Sequence, residues 1–352
     1  HGPNKERLWR IDAISLGKRL DINDSNSLQD SLRLQMFLKQ LKLYKDKIAS
    51  IRINGILFTE AESELICSHV WEDTGIMRKG KFPNLIDLDL SYLRISSKIL
   101  PNINIILNPT LSGYCPIKRL VLTQCRLGIE GTRILFKSLK YNVFIEELII
   151  NGNHCTDVCM DDITATLNSS ANRFKLLSLG ANDLTHESMS MLANSIKEHS
   201  YLKDLQLNNN PNIKDNGIDI IFTALRDNQL IENLNLSYCG LKKCSWAGKL
   251  RIMTSLAYLN LSQNEINDDG CLSLCDSLEK CVCLRHLDLS YNLLGDRLSI
   301  KLGVILKINQ GLQTLNLSGN IMTYECWNSI AVGLCDNYTL LNLNLTMCDI
   351  NL

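Results

Sequence analysis

A phrase of the form L-x-x-L-x-L-x-x-N returns through most of this chain at a nearly constant interval, and that interval leaves few folds open to it. Residues 284–292 read LRHLDLSYN, 256–264 LAYLNLSQN, 312–320 LQTLNLSGN and 231–239 IENLNLSYC. The first leucines of the L-x-L cores are Leu88, Leu120, Leu148, Leu177, Leu205, Leu234, Leu259, Leu287, Leu315 and Leu343. The steps between them are 32, 28, 29, 28, 29, 25, 28, 28 and 28. A repeat of this length is one supersecondary unit that buries its apolar side only against its neighbours. The 352 residues therefore need not divide into the two or three globular domains that length alone suggests.

Each repeat reads as a short strand, a turn at the Asn or Cys slot, and a helical return. In 127–139, Gly131 opens the helical part, and Ile134, Leu135 and Leu139 supply an inward stripe. Parallel strands lie about 4.8 Å apart, whereas helices are roughly 10 Å across. Strands on one side and helices on the other must bend the array, with the strands inside. Asn153, Asn182, Asn210, Asn264, Asn292 and Asn320 are expected to stack in a column under the turns. There an amide that both donates and accepts satisfies backbone groups leaving the ladder. Cys125, Cys239 and Cys348 take the same slot.

Residues 1–47 are less regular and read as an N-terminal capping segment with a helix over 28–44. Its apolar positions are Leu28, Leu32, Met36, Leu38, Leu41 and Leu43. Leu20 and Ile22, then Ile51 and Ile53, resemble degenerate strands, as an atypical end unit requires. Residues 48–352 form the solenoid, which is expected to be truncated at its C-terminal end because Leu352 falls within a repeat. Three departures break the period. The step of 32 holds Pro101, Asn108-Pro109 and Gly113 and predicts a longer, less helical connection. The step of 25 holds LKKCSWAGKL and predicts a short helix. An extra residue at Asn210-Pro211-Asn212 moves the next apolar position to Ile213. Such units either project loops from one face or have simply drifted.

The pattern L-x-x-L-x-L-x-x-N/C-x-L, with a helical return and a period near 28, resembles the ribonuclease-inhibitor type of leucine-rich repeat, over roughly Ile48 to the end. The segment 269–278, DGCLSLCDSL, is similar to the helical half of that class. The resemblance implies an α/β leucine-rich-repeat solenoid, a horseshoe with a concave parallel β-sheet and convex helices. It does not select a function. The class includes nuclease inhibitors, sensing arms of cytosolic immune receptors, actin-regulator domains, ciliary and centrosomal scaffolds, and the activator of the Ran GTPase.

The search for chemistry is short. No phosphate-cradling glycine loop, H-E-x-x-H or G-x-S-x-G occurs, so the expectation is a non-enzyme with no cofactor and no metal. Cys271, Cys275, Cys281, Cys283 and His286 come closest to a zinc set. They spread over a helix and the next strand, and they read instead as repeat packing. Cys155 and Cys159 read likewise. Thirty-seven basic and 37 acidic residues give no excess positive charge for nucleic acid. No apolar run is long enough to span a bilayer. The first ten residues are polar and charged and do not read as a signal peptide. The fourteen cysteines fall at repeat positions, among them Cys67, Cys275 and Cys335 in helical stretches, as small hydrophobes do. They point to reduced thiols in a cytoplasmic protein.

The informative surface is the strand face. The residue between the two core leucines points outward; down the chain these are Asp89, Val121, Ile149, Ser178, Gln206, Asn235, Asn260, Asp288, Asn316 and Asn344. Tyr92, Tyr238 and Tyr291 sit at strand ends, Tyr258 just before a core leucine, and Arg285 and His286, within the phrase at 284–292, are expected to face outward. A solvated face of generic polar filler is one reading. The sharper one is a protein-binding surface, because tyrosines among amides are how interface hot spots are often composed. The expected partner-binding residues are Tyr238, Tyr258, Tyr291, Asn235, Asn260, Asp288, Asn316, Arg285 and Tyr92. The expected function is a protein-interaction scaffold, within a larger cytosolic, ciliary or cytoskeletal assembly, that binds through its concave face or its open C-terminal edge. The alternative is a GTPase-activating protein resembling the Ran activator.

Overall fold

Three residues of each phrase suffice for a strand, because a leucine flanked by polar residues has one face to bury and one to leave open. The computed structural model describes residues 9–11, 34–36, 38–39, 41–43, 45–53, 58–71, 83–96, 98–109 and 115–348. The chain separates into two units, His1–Lys175 and Leu176–Leu352. The first holds β1 (Trp9–Ile11), β2 (Ile48–Arg52), β3 (Asp87–Asp89), β4 (Arg119–Val121) and β5 (Glu147–Ile149). The second holds β6 (Leu176–Ser178), β7 (Asp204–Gln206), β8 (Asn233–Asn235), β9 (Tyr258–Asn260), β10 (His286–Asp288), β11 (Thr314–Asn316) and β12 (Asn342–Asn344). Within each unit every strand pairs in parallel with the next. Ile51, Leu88, Leu120 and Leu148 are in register in the first. The core leucines from Leu177 to Leu343 are in register in the second. This is a leucine-rich-repeat solenoid.

Helices return the chain between strands and bury one side: Leu135, Phe136 and Leu139 in Gly128–Leu139, and Leu192 and Ile196 in His186–Glu198. Leu287, Leu302 and Leu315, with Cys271, line one small apolar void, so strand and helix side chains share a core. Glycines let helices Ser299–Ile308 and Tyr324–Cys335 meet backbone to backbone. A Cβ on Gly303 would strike the Ser329 carbonyl oxygen, and one on Gly333 the Gly303 carbonyl oxygen. The irregular steps behave as their composition predicts. Among the described residues the step of 32 holds the eight-residue helix Leu100–Leu107, and the step of 25 has a 3-10 helix, Ser245–Ile252. Ile213 is buried.

Several positions differ from expectation. In 34–43 the described residues are helical, but Leu34, Leu38 and Leu41 face the core while Met36 and Leu43 are exposed. The 3.6-residue period fits this set better than the one read from 28 onward. Leu20, Ile22, Leu28 and Leu32 lie outside the described residues. Ile134 is only half-buried, and Thr132 takes its place inside. Cys335, at a helix end, is exposed.

The asparagine column forms as expected. Asn153 Oδ1 accepts the Cys125 N–H at 2.9 Å and the Leu127 N–H at 3.3 Å, and its Nδ2 donates to the Leu122 carbonyl at 2.7 Å and the Ile150 carbonyl at 2.9 Å. Asn210 does the same for Asn182, Leu184, Leu179 and Leu207. Asn153 and Asn210 thus each complete the turn of the repeat before them. In the cysteine slots the thiol donates to the preceding repeat's carbonyl: Cys125 to Leu90 at 3.2 Å, Cys239 to Leu207 at 3.3 Å and Cys348 to Leu317 at 3.4 Å.

A second polar column, not read from the sequence, stands where helices hand over to strands. Asn142 Oδ1 accepts the Phe144 and Ile145 N–H groups, and Asn309 Oδ1 those of Gly311 and Leu312. Asn337 repeats the motif with Thr339 and Leu340. At the corresponding place His199 stands instead, and its Nδ1 accepts from Tyr201 at 3.2 Å and Leu202 at 3.1 Å. Only the neutral ring can accept there. Burial pushes its pKa down to about 4. The unfolded chain, with an ordinary histidine, takes up the proton first, so stability should be full above about pH 6.5 and fall as the pH drops towards 4, by up to about 3 kcal/mol. His199→Asn is expected to fold as well at pH 7 and to lose this acid-sensitive component. Urea midpoints of both proteins at pH 7.5 and 4.5 check it; parallel losses would sink it.

Candidate protein-binding face

In each strand the central leucine is buried, and the residues on either side share the opposite face. This gives two outward rows. In the second unit one row runs Asp204, Asn233, Tyr258, His286, Thr314, Asn342, and the other Gln206, Asn235, Asn260, Asp288, Asn316, Asn344. Two expected outward positions are closed off: Ser178 is 0% exposed, with its hydroxyl donating to Gln206 Oε1, and Val121 is 5% exposed. Their strand parity is right, but neighbouring side chains cover them.

The amides of the second row have a local task. The Oδ1 atoms of Asn235, Asn260, Asp288 and Asn316 accept the N–H of the residue two positions on, Ser237, Ser262, Ser290 and Ser318. These are Asx turns, and they explain why Asn or Asp stands there without any ligand.

In each unit a third row is formed by the turn residue just before the column position, which is Asn or Cys in nine repeats and Leu93 in that of Tyr92; this residue is left-handed in all ten. Its φ values are 67° at Tyr92, 53° at Gln124, 68° at Gly152, 51° at Ala181, 58° at Asn209, 52° at Tyr238, 56° at Gln263, 53° at Tyr291, 68° at Gly319 and 57° at Met347. Glycine suits this slot, and a bulky residue is costly there. Tyr238 and Tyr291 nevertheless occupy it and are 51% and 48% exposed. The Tyr291 ring lies over the next rung, where a Cβ on Gly319 would come within 2.6 Å of it. Its hydroxyl reaches Met347 Sδ at 3.3 Å, two rungs along. Leu293 and Ile321, just past the column asparagines, are exposed beside this row.

The predicted site residues therefore fall into separate places. Tyr238 and Tyr291 belong to the turn row, two repeats apart. Tyr258 belongs to the first strand row, its ring 6.2 Å from that of His286 and tilted by 42°. Burial, and after it the Asp288 carboxylate, hold the Tyr258 phenol above its ordinary range. Arg285 is tied down below the strand, donating Nη1 to the Gly311 carbonyl at 2.8 Å. Tyr92 stands in the turn row of the first unit. The strand face of that unit is a closed ion-pair ladder: Asp87 takes Arg52 at 2.7 Å and Arg119 at 2.9 Å, and Arg119 reaches Glu147 at 3.2 Å. Burial works against the Asp87 charge, but hydrogen bonds from Arg119, Arg52 and Ser50 outweigh it and lower its pKa.

The zinc-like set is dispersed. Cys271, Cys275 and Cys281 are buried, and His286 sits on the outward row. Among the described residues no group of three or more His, Cys, Asp or Glu could hold a metal ion, and no helix is long and apolar enough to cross a membrane. The sequence reading missed the turn row as a row, together with Leu293 and Ile321. The available signal was Gly152 and Gly319 in the slot of Tyr238 and Tyr291.

No family model matches the chain. Relatives do. It is 25% identical over 360 residues to NACHT, LRR and PYD domains-containing protein 9C of Mus musculus, covering 99% of this chain and 36% of that protein. It is 29% identical over 223 residues to the ribonuclease inhibitor of Mus musculus, covering 62% of this chain and 48% of that protein. Human NACHT, LRR and PYD domains-containing protein 13 is 27% identical over 172 residues, 48% of this chain and 16% of that protein. The chain thus spans less than half of each of these relatives. Among solved structures, an internalin of Listeria monocytogenes is similar at 14% identity and a TM-score of 0.45, covering 90% of this chain and 88% of that one. The repeat phrase, its register and these sequence relatives agree on one point: the chain is a leucine-rich-repeat protein similar to the ribonuclease-inhibitor type.

Proposed function

We propose that this chain is a non-enzymatic scaffold that binds a protein partner through the outward face and turn row of its second unit. The observation that carries the reading is the pair Tyr238 and Tyr291. Both are half-exposed aromatics in a left-handed slot that Gly152 and Gly319 fill in other repeats, so the turn itself does not require their size. Backbone strain retained without structural need marks functional surface, and tyrosine supplies contact area with a hydrogen-bonding tip. A cytoplasmic setting is supported by free cysteines throughout, most of them buried; burial pushes the Cys239 thiol up to about 12.

Photo-crosslinking tests the reading. A benzoylphenylalanine placed at Tyr238 or Tyr291 is expected to trap discrete protein adducts in a cytosolic extract. The same group at Glu130, on a helix, should not. Equal labelling from all three positions would remove the case for this face. A GTP-hydrolysis assay with small GTPases on the same material addresses the activator alternative, for which no observation on this face speaks.

A further inference from the structure

The two outward rows of β6–β12 hold two positions on each of seven strands. They include Asp204 and Asp288 and no lysine or arginine. In the first unit the acidic Asp87 is paired with two guanidiniums on the same face. Asp288 is not so provided for. Its Oδ1 accepts the Ser290 N–H at 2.9 Å and hydroxyl at 2.6 Å, and its Oδ2 accepts Asn316 Nδ2 at 3.1 Å. Among the described residues no cation joins them. The turn does not need the charge, because Asn235, Asn260, Asn316 and Asn344 make the same turn with a neutral amide. Beside the carboxylate, on the other outward row, lie the rings of Tyr258 and His286.

We propose that Tyr258, His286 and Asp288 seat a cationic side chain, an arginine or lysine, of the protein partner. This rests on the function proposed above. A guanidinium laid on the Tyr258 ring gains a cation–π contact and can reach Asp288 Oδ2 with a charge-assisted hydrogen bond. Neither contact displaces the Ser290 bonds to Oδ1. The half-buried setting weakens solvent screening, so the pair attracts more strongly than it would on an open surface.

The probe is tri-arginine amide, with tri-citrulline amide as its uncharged isostere. The chain has six histidines, so ring-proton signals report position. Tri-arginine is expected to shift the His286 signal saturably, leaving His154 and His186 unmoved, and tri-citrulline to do nothing. Asp288→Asn keeps the turn acceptor and gives up the Asn316 bond to Oδ2, so its melting temperature should fall by no more than a few degrees while tri-arginine affinity drops at least tenfold. Tyr258→Leu should also weaken binding. Absence of a saturable His286 shift in the parent, equal affinity in Asp288→Asn, or an equal response to tri-citrulline would each overturn the proposal. Crosslinks at positions 238 and 291 surviving any of these results would leave the scaffold reading standing and remove only the cation seat. Loss of the crosslinks alone would do the reverse.

Discussion

Asn153→Ala is expected to destabilise the protein by about 3–4 kcal/mol, a large loss for one polar side chain. The residue is fully buried, and its removal strands two amides, Cys125 and Leu127, and the Leu122 and Ile150 carbonyls in a place water does not reach. Asn153→Cys should fall between, at about half that loss. A thiol can donate to a carbonyl, as Cys125, Cys239 and Cys348 do, but it is a poor acceptor for the two amides. Urea midpoints rank the three proteins. Hydrogen exchange separates the mechanisms, since the Cys125 and Leu127 amides should lose protection in both variants. Retained protection at those amides in Asn153→Ala would show that the column does not carry them.

Replacing Tyr238 and Tyr291 together with glycine is expected to have the opposite balance: stability changed by no more than about 1 kcal/mol, partner binding reduced at least tenfold. Each substitution relieves roughly 1–2 kcal/mol of left-handed backbone cost and gives up a comparable amount of packing, chiefly the Tyr291 ring over Gly319 and its contact with Met347. At an interface, losing two aromatic anchors is worth more than that. Thermal melting and quantitative capture of the crosslinked partner check both halves. A variant that melts normally and still captures fully would move the binding surface elsewhere.

The repeat leucines and the asparagine column were legible in the sequence because both depend on side-chain periodicity, which spacing records directly. So were the short helices at the steps of 32 and 25, through Pro101, Pro109 and the missing residues. The turn row was not legible as a row. The sign of φ leaves no periodic mark unless glycine fills the slot, and only Gly152 and Gly319 do. Asn235, Asn260 and Asn316 were read as free contact groups because residue type alone does not separate an amide spent on its own turn from one offered to a partner. Arg285 is expected to face outward with the other polar residues of its phrase; its guanidinium instead donates to the Gly311 carbonyl. His199 escaped notice because a histidine and an asparagine share no compositional signature, though both can accept two amides at one atom.

Asn153, Asn210, Asn264, Asn292 and Asn320 each serve the repeat before them in sequence. On a ribosome this gives the chain a direction: an emerging repeat cannot close its own turn until the next one, some 28 residues later, has cleared the exit and delivered the amide. Order should therefore advance along the nascent chain as a front that trails synthesis by one repeat, with the newest turn always open.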